Sequence, residues 1–110
     1  MPLDKKEALA RVGGDPQLLA EIAALFLSDL PRGLGALRKA VAARDAAAIE
    51  RHAHSLKGSV SNFGAQEVCM AAQSLETQAR TNSLDDIDKS LSTLEHALTL
   101  LRPELESLTP

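Results

Sequence analysis

The sequence predicts an all-α fold, an antiparallel four-helix bundle with an additional short N-terminal helix. Three observations carry this. Alanine and leucine dominate, and Phe26 and Phe63 are the only aromatic residues, whereas a sheet would want β-branched and aromatic side chains. Apolar residues recur at steps of three and four along most of the chain. Helix caps and breakers punctuate that pattern at short intervals, so the connections are short and neighbouring helices are antiparallel.

Residues 4 to 11 read as a short helix with Asp4 as N-cap and Leu9 and Val12 turned inward. Gly13-Gly14 ends it. Asp15 caps the next helix, and Pro16 takes the first helical position, where its missing N–H leaves nothing unpaired. Leu18, Ile22, Leu25, Phe26 and Leu30 are its expected core face. Pro31 either kinks one long helix or separates two collinear ones. Leu34, Leu37 and Val41 continue the stripe, which favours a kink. Asp45 caps a third helix that runs to about Asn62, and Gly64 supplies the turn. The fourth, about 65 to 80, places Ala65, Val68, Ala72, Leu75 and Ala79 on one face. Asn82-Ser83 breaks it, and Ser83 with Asp86 resembles a capping box. In the last helix Leu84, Ile87, Leu91, Leu94, Leu98 and Leu101 alternate steps of three and four without a miss. Pro103 is expected to weaken or end it, although Leu105 and Leu108 keep the phase.

The third helix holds the informative residues. At about 100° per residue, Ile49, Ala53, Leu56, Val60 and Phe63 form a narrow apolar stripe. His54 then lies about 140° from Ile49, Lys57 about 80°, Ser61 about 120° and Gly58 about 180°. His54 should therefore stand in water, with Lys57 at i+3 and Gly58 at i+4. A glycine inside a helix costs about 1 kcal/mol relative to alanine. Gly58 sits opposite the apolar stripe, so the core gains nothing from it. A missing side chain beside an exposed imidazole leaves that ring open to a bulky partner, and Lys57 supplies a cation for an anion placed on it. Ser61 points near His54 and is a candidate lining residue of a docking surface. Ser59 points back toward the bundle and reads as structural.

Other chemistries find less support. His52 and His54 are two residues apart, so they point about 200° apart and cannot share a metal on one helix. No Cys or carboxylate pattern suggests zinc, so no metal is expected. Nothing proposes the base and oxyanion hole of a hydrolase. Gly13-Gly14 follows no strand and reads as a helix stop rather than a phosphate loop. His52 reads as a boundary or capping residue, and His96 as a surface histidine.

His54-Ser55-Leu56-Lys57-Gly58-Ser59, followed by Phe63-Gly64-Ala65, resembles the signature of the histidine-containing phosphotransfer (HPt) domain, His-x-Leu-Lys-Gly-Ser and then an apolar residue and Gly before the next helix. Val12-Gly13-Gly14-Asp15, with Leu18-Leu19 and Phe26-Leu27, is similar to the family's opening. The resemblance covers nearly the whole chain. It implies that His54 accepts a phosphoryl group from the phospho-aspartate of a response-regulator receiver domain and passes it to another receiver. It further implies that Lys57 and Gly58 serve that site, that Mg²⁺ is brought by the receiver, and that this chain needs no cofactor of its own. The family often places a polar residue near the histidine from the following helix. Glu76 is the candidate here, although its charge opposes a phosphate.

Composition bounds the partners. The 110 residues allow one domain, 1–110, with one core. A net charge of −3 gives no basic footprint for nucleic acid. No apolar run is long enough to span a membrane, and no signal peptide leads the sequence. The single Cys69 cannot form an internal disulfide, which suits a reducing compartment and a buried apolar role; the expected location is cytoplasmic. Receivers and a hybrid sensor histidine kinase are the expected partners, and a monomer the expected state. No nucleotide-binding pattern is present, so no autonomous kinase activity is expected. The other readings are a non-catalytic helical adaptor, the dimerisation and phosphoacceptor region of a histidine kinase, and the C-terminal module of a hybrid sensor kinase.

Overall fold

The structure is a computed structural model that describes residues 2–109. Five α-helices follow one another: α1 Lys5–Arg11, α2 Pro16–Ala42, α3 Ala46–Val60, α4 Gln66–Arg80 and α5 Ile87–Glu106. A single 3₁₀ turn, Ser61–Phe63, extends α3. The last four helices form the bundle, a rod of 41 × 21 × 20 Å, and α1 packs across one end of it against the 3₁₀ turn.

The caps explain the starts. Carboxylates of Asp4, Asp15 and Asp45 accept from the first-turn N–H groups of α1, α2 and α3, satisfying donors that have no partner within the helix. Helix α2 runs unbroken through Pro31, so the two-helix alternative is excluded. Helix α5 likewise continues through Pro103, against the expectation that it would weaken or end there. Leu105, fully buried, ties that last turn to the core. The capping box is not formed: α5 starts at Ile87, Asp86 is its N-cap without a side-chain bond, and the Ser83 hydroxyl accepts from Thr81 instead.

The core is a continuous apolar cluster in which Ile49, Ala53, Val60, Phe63, Ala72, Leu75, Leu94 and Leu101 are fully buried. Phe63 meets Phe26 edge to face with ring centroids 5.5 Å apart, which pins the end of α3 to α2. One expected face is out of phase in its first half, whereas its Phe26 and Leu30 are buried as expected. In α2 the buried residues are Leu19, Ala23, Phe26 and Leu30, while Leu18 and Leu25 are exposed and Ile22 is half-buried. Leu18-Ile22-Leu25 and Leu19-Ala23-Phe26 have the same spacing. Packing selects the stripe that carries small Ala23, which lets the neighbouring backbones approach. Leu9 and Val12 of the first helix are half-buried, and Ala8 is its fully buried residue.

Gly64 closes the turn between α3 and α4 in the left-handed region, at φ 61°. A Cβ there would lie 2.7 Å from Asp4 Cβ and 2.6 Å from Glu7 Oε2, because the Asp4 N–H donates to the Phe63 carbonyl and draws α1 close. Gly64→Ala therefore meets both backbone strain and a clash. The expected cost is about 2 kcal/mol, a fall in melting temperature of roughly 10 °C. Thermal unfolding followed by circular dichroism checks it, and a change under about 2 °C would remove this account of the turn.

Candidate functional site

His54 lies on the outward face of α3, and its side chain is 68% exposed, as its phase predicts. The ring is nonetheless fixed. Nδ1 lies 2.8 Å from Oε2 of Glu76, which projects from α4 and is 4% exposed. Lys57, one turn on in α3, donates from Nζ to Glu76 Oε1 at 2.6 Å and to Gln73 Oε1 at 2.8 Å. Arg80, one turn on in α4, donates from Nη2 to Glu76 Oε2 at 3.1 Å and from Nε to Glu50 Oε2 at 3.1 Å. A buried carboxylate thus gathers an imidazole, an ammonium and a guanidinium from two helices.

The hydrogen bond from Lys57, the largest influence, and that from His54 hold the Glu76 carboxyl below the usual carboxylate range, against the opposing push of burial. Glu76 is therefore ionised near neutrality and has only acceptor oxygens. Its partner Nδ1 must then carry the proton, which leaves the lone pair on Nε2. Because a lowered carboxyl pKa stabilises the fold above the ordinary carboxylate pKa, that contribution is lost as pH falls through the lowered value.

Gly58 is exposed on α3. A Cβ at this position would have nothing within 4 Å, so no internal packing requires glycine here. Ser61 is half-buried, and its hydroxyl donates to the Gly58 carbonyl at 2.7 Å, closing the end of α3. Ser59 is exposed rather than turned into the bundle; its hydroxyl donates to the Ser55 carbonyl beside the α2–α3 groove. His52 is half-buried in the same groove with Asp29, Leu30 and Leu56, and it caps no helix. His96 is exposed on α5. Cys69 is half-buried, and burial, the largest influence, pushes its thiol pKa up. Among the described residues no group of three or more His, Cys, Asp or Glu side chains could hold a metal ion, and no helix is long and apolar enough to cross a membrane.

Two expectations change in detail. Glu76 is the hub of the site, not an opposing charge at its edge. Lys57 has its ammonium committed to Glu76 and Gln73 in this state rather than standing free beside the ring. Gln73 and Arg80 were not anticipated. Arg80 lies at i+4 from Glu76, an ion-pair spacing legible in the sequence, but its relation to His54 exists only once α3 and α4 are packed.

The family model for the Hpt domain matches residues 21–104. No curated protein gives a significant match. The fold is that of the crystal structure of histidine-containing phosphotransfer protein B (HptB) from Pseudomonas aeruginosa PAO1, with a TM-score of 0.87 and 26% identity over 96% of this chain and 91% of that one. It is also that of the HPT domain from a sensor hybrid histidine kinase of Shewanella, with a TM-score of 0.85 and 18% identity over 97% of this chain and 92% of that one. With the family model spanning most of the chain, and an exposed histidine set in a helical bundle, the protein belongs to the Hpt domain family and serves histidine phosphotransfer in a phosphorelay.

Proposed function

We propose that His54 is the phosphoacceptor and that Nε2 is the attacking atom. The observation that carries this is the 2.8 Å hydrogen bond between Nδ1 and the buried Glu76 carboxylate on an otherwise exposed ring. A receiver domain phosphorylated on aspartate docks over the outer face of α3. The Nε2 lone pair forms the N–P bond as the P–O bond to the aspartyl carboxylate breaks, and the aspartate leaves as carboxylate. Nδ1 keeps its proton, so the ring becomes cationic, and Glu76 at hydrogen-bond distance stabilises that charge. Transfer to a second receiver reverses the step. The transition state spreads charge over the equatorial phosphoryl oxygens, so positioning and cations dominate catalysis. The receiver, by family resemblance, supplies Mg²⁺.

In this reading Lys57 acts through Glu76: it keeps the carboxylate ionised and aimed at the ring. Gly58 admits the receiver, and Ser61 closes the helix at the edge of the docking face. Residues 1–110 act as a single monomeric domain in the cytoplasm, as a carrier between receivers and a hybrid sensor histidine kinase, without autonomous kinase activity. The test is incubation with a phosphorylated receiver. Acid-labile label on this chain is expected, and its absence with every receiver of the source organism would leave the adaptor reading in its place.

Gly58 gives a second check. Gly58→Glu should raise the melting temperature, because it removes a helix-interior glycine worth about 1 kcal/mol with no internal clash. It should also slow transfer from a receiver by about tenfold or more through bulk and like charge with the incoming phosphoryl group. Wild-type transfer in this variant would show that the bare backbone is not there for the partner.

A further inference from the structure

Resting on the assignment of His54 as acceptor, we propose that Arg51 is the cation that meets the transferring phosphoryl oxygens. The open depression that the His54 ring faces is lined by Ala47, Glu50, Arg51, Glu76 and Arg80, and Lys57 is not part of it. Side chains on a helix lean over the turn before their own Cα, so the His54 ring lies over the turn that holds Glu50 and Arg51. Arg51 stands at i−3 from His54, within reach of anything bound to the ring.

The charges in and beside this depression are already assigned, with one exception. Lys57 is held by Glu76 and Gln73. Arg80 is shared between Glu50 and Glu76. Glu50, which would repel a phosphoryl group, is itself engaged by Arg80. Arg51 is exposed and has no ion pair or side-chain hydrogen bond among the described residues. A guanidinium that gives up no internal partner can bind two phosphoryl oxygens through parallel N–H groups. Lys57 and Arg80 would first have to leave a buried carboxylate, exposing its charge beside the incoming anion. Arg51 is thus the cation whose recruitment costs the fold nothing.

The probe is phosphoramidate, a small donor that phosphorylates an imidazole without a docked protein. The N–P bond to Nε2 forms, the donor's P–N bond breaks, and ammonia leaves with a proton from solvent. Arg51→Ala should slow labelling of His54 by about tenfold, the lower end of what a hydrogen bond to a charged group contributes. Arg51→Lys should restore part of the rate, and Arg102→Ala, on the α2–α5 face, should leave it unchanged. Transfer from a phosphorylated receiver should slow in parallel. If Arg51→Ala slows only the receiver reaction, Arg51 is a docking residue and the proposal is overturned. Unchanged rates with both donors overturn it as well. Persistence of the label in His54→Gln would instead strike at the acceptor assignment, so the two failures are distinct.

Discussion

His54→Gln abolishes acid-labile phosphorylation by a phosphorylated receiver and leaves the helical circular dichroism spectrum and the melting temperature within error of wild type. Both halves follow from the geometry. The ring is 68% exposed and fills no part of the core, so removing it opens no cavity. A glutamine amide can still donate toward Glu76, so the buried carboxylate keeps its partners. No other histidine can substitute. His52 lines the α2–α3 groove and His96 the α4–α5 groove, both without a carboxylate hydrogen bond among the described residues. Phosphorylation is read by acid-labile label and by the mass of the modified peptide. Label retained in this variant would move the acceptor and dismantle the reading of α3.

Glu76→Ala produces the second large effect: single-turnover transfer from a phosphorylated receiver falls by about 10- to 100-fold, and stability near neutral pH falls with the lost carboxylate contacts. The rate follows from charge. When Nε2 attacks, the imidazole becomes cationic, and a carboxylate at 2.8 Å is worth about 1.5–3 kcal/mol as a hydrogen bond to a charged group. It also fixes the tautomer, because an ionised carboxylate can only accept from Nδ1. Glu76→Gln should fall between the two, since its amide oxygen preserves the tautomer and loses the charge. The fold itself persists because the freed partners can turn to water: Arg80 is half exposed and Lys57 lies at the surface of the interhelical seam. The pH dependence separates the roles. With its carboxyl held low, Glu76 contributes stability above the ordinary carboxylate pKa and loses it as pH falls through the lowered value. Glu76→Gln should therefore flatten part of the acid limb of the unfolding profile. Wild-type transfer by Glu76→Ala would end the claim that this carboxylate sets the nucleophile.

Much of this is legible in the sequence itself. The Asp4, Asp15 and Asp45 caps, the αL glycine at 64 and the exposed phase of His54 are local signals, written in spacing and residue type. The failures are where two local patterns tie or where helices must meet. Leu18 and Leu25 share their spacing with Leu19 and Phe26, and hydrophobicity alone prefers leucine to Ala23. Only the fit of neighbouring helices breaks that tie. The burial of Glu76, a residue the resemblance already named, is hidden for the same reason. A carboxylate beside an apolar stripe normally stays wet, and its burial becomes affordable only when Lys57 and His54 arrive from α3. Pro103 misled because tertiary burial of Leu105 outweighs a proline near a helix end.

The reacting ring, its orienting carboxylate and the surrounding cations all come from the α3–α4 hairpin, while α5 contributes only its inner stripe. Signal chemistry and scaffold are thereby segregated along the polypeptide. Substitutions at the outer positions of α5, such as Thr93, His96 and Leu100, can accumulate without altering the transfer step.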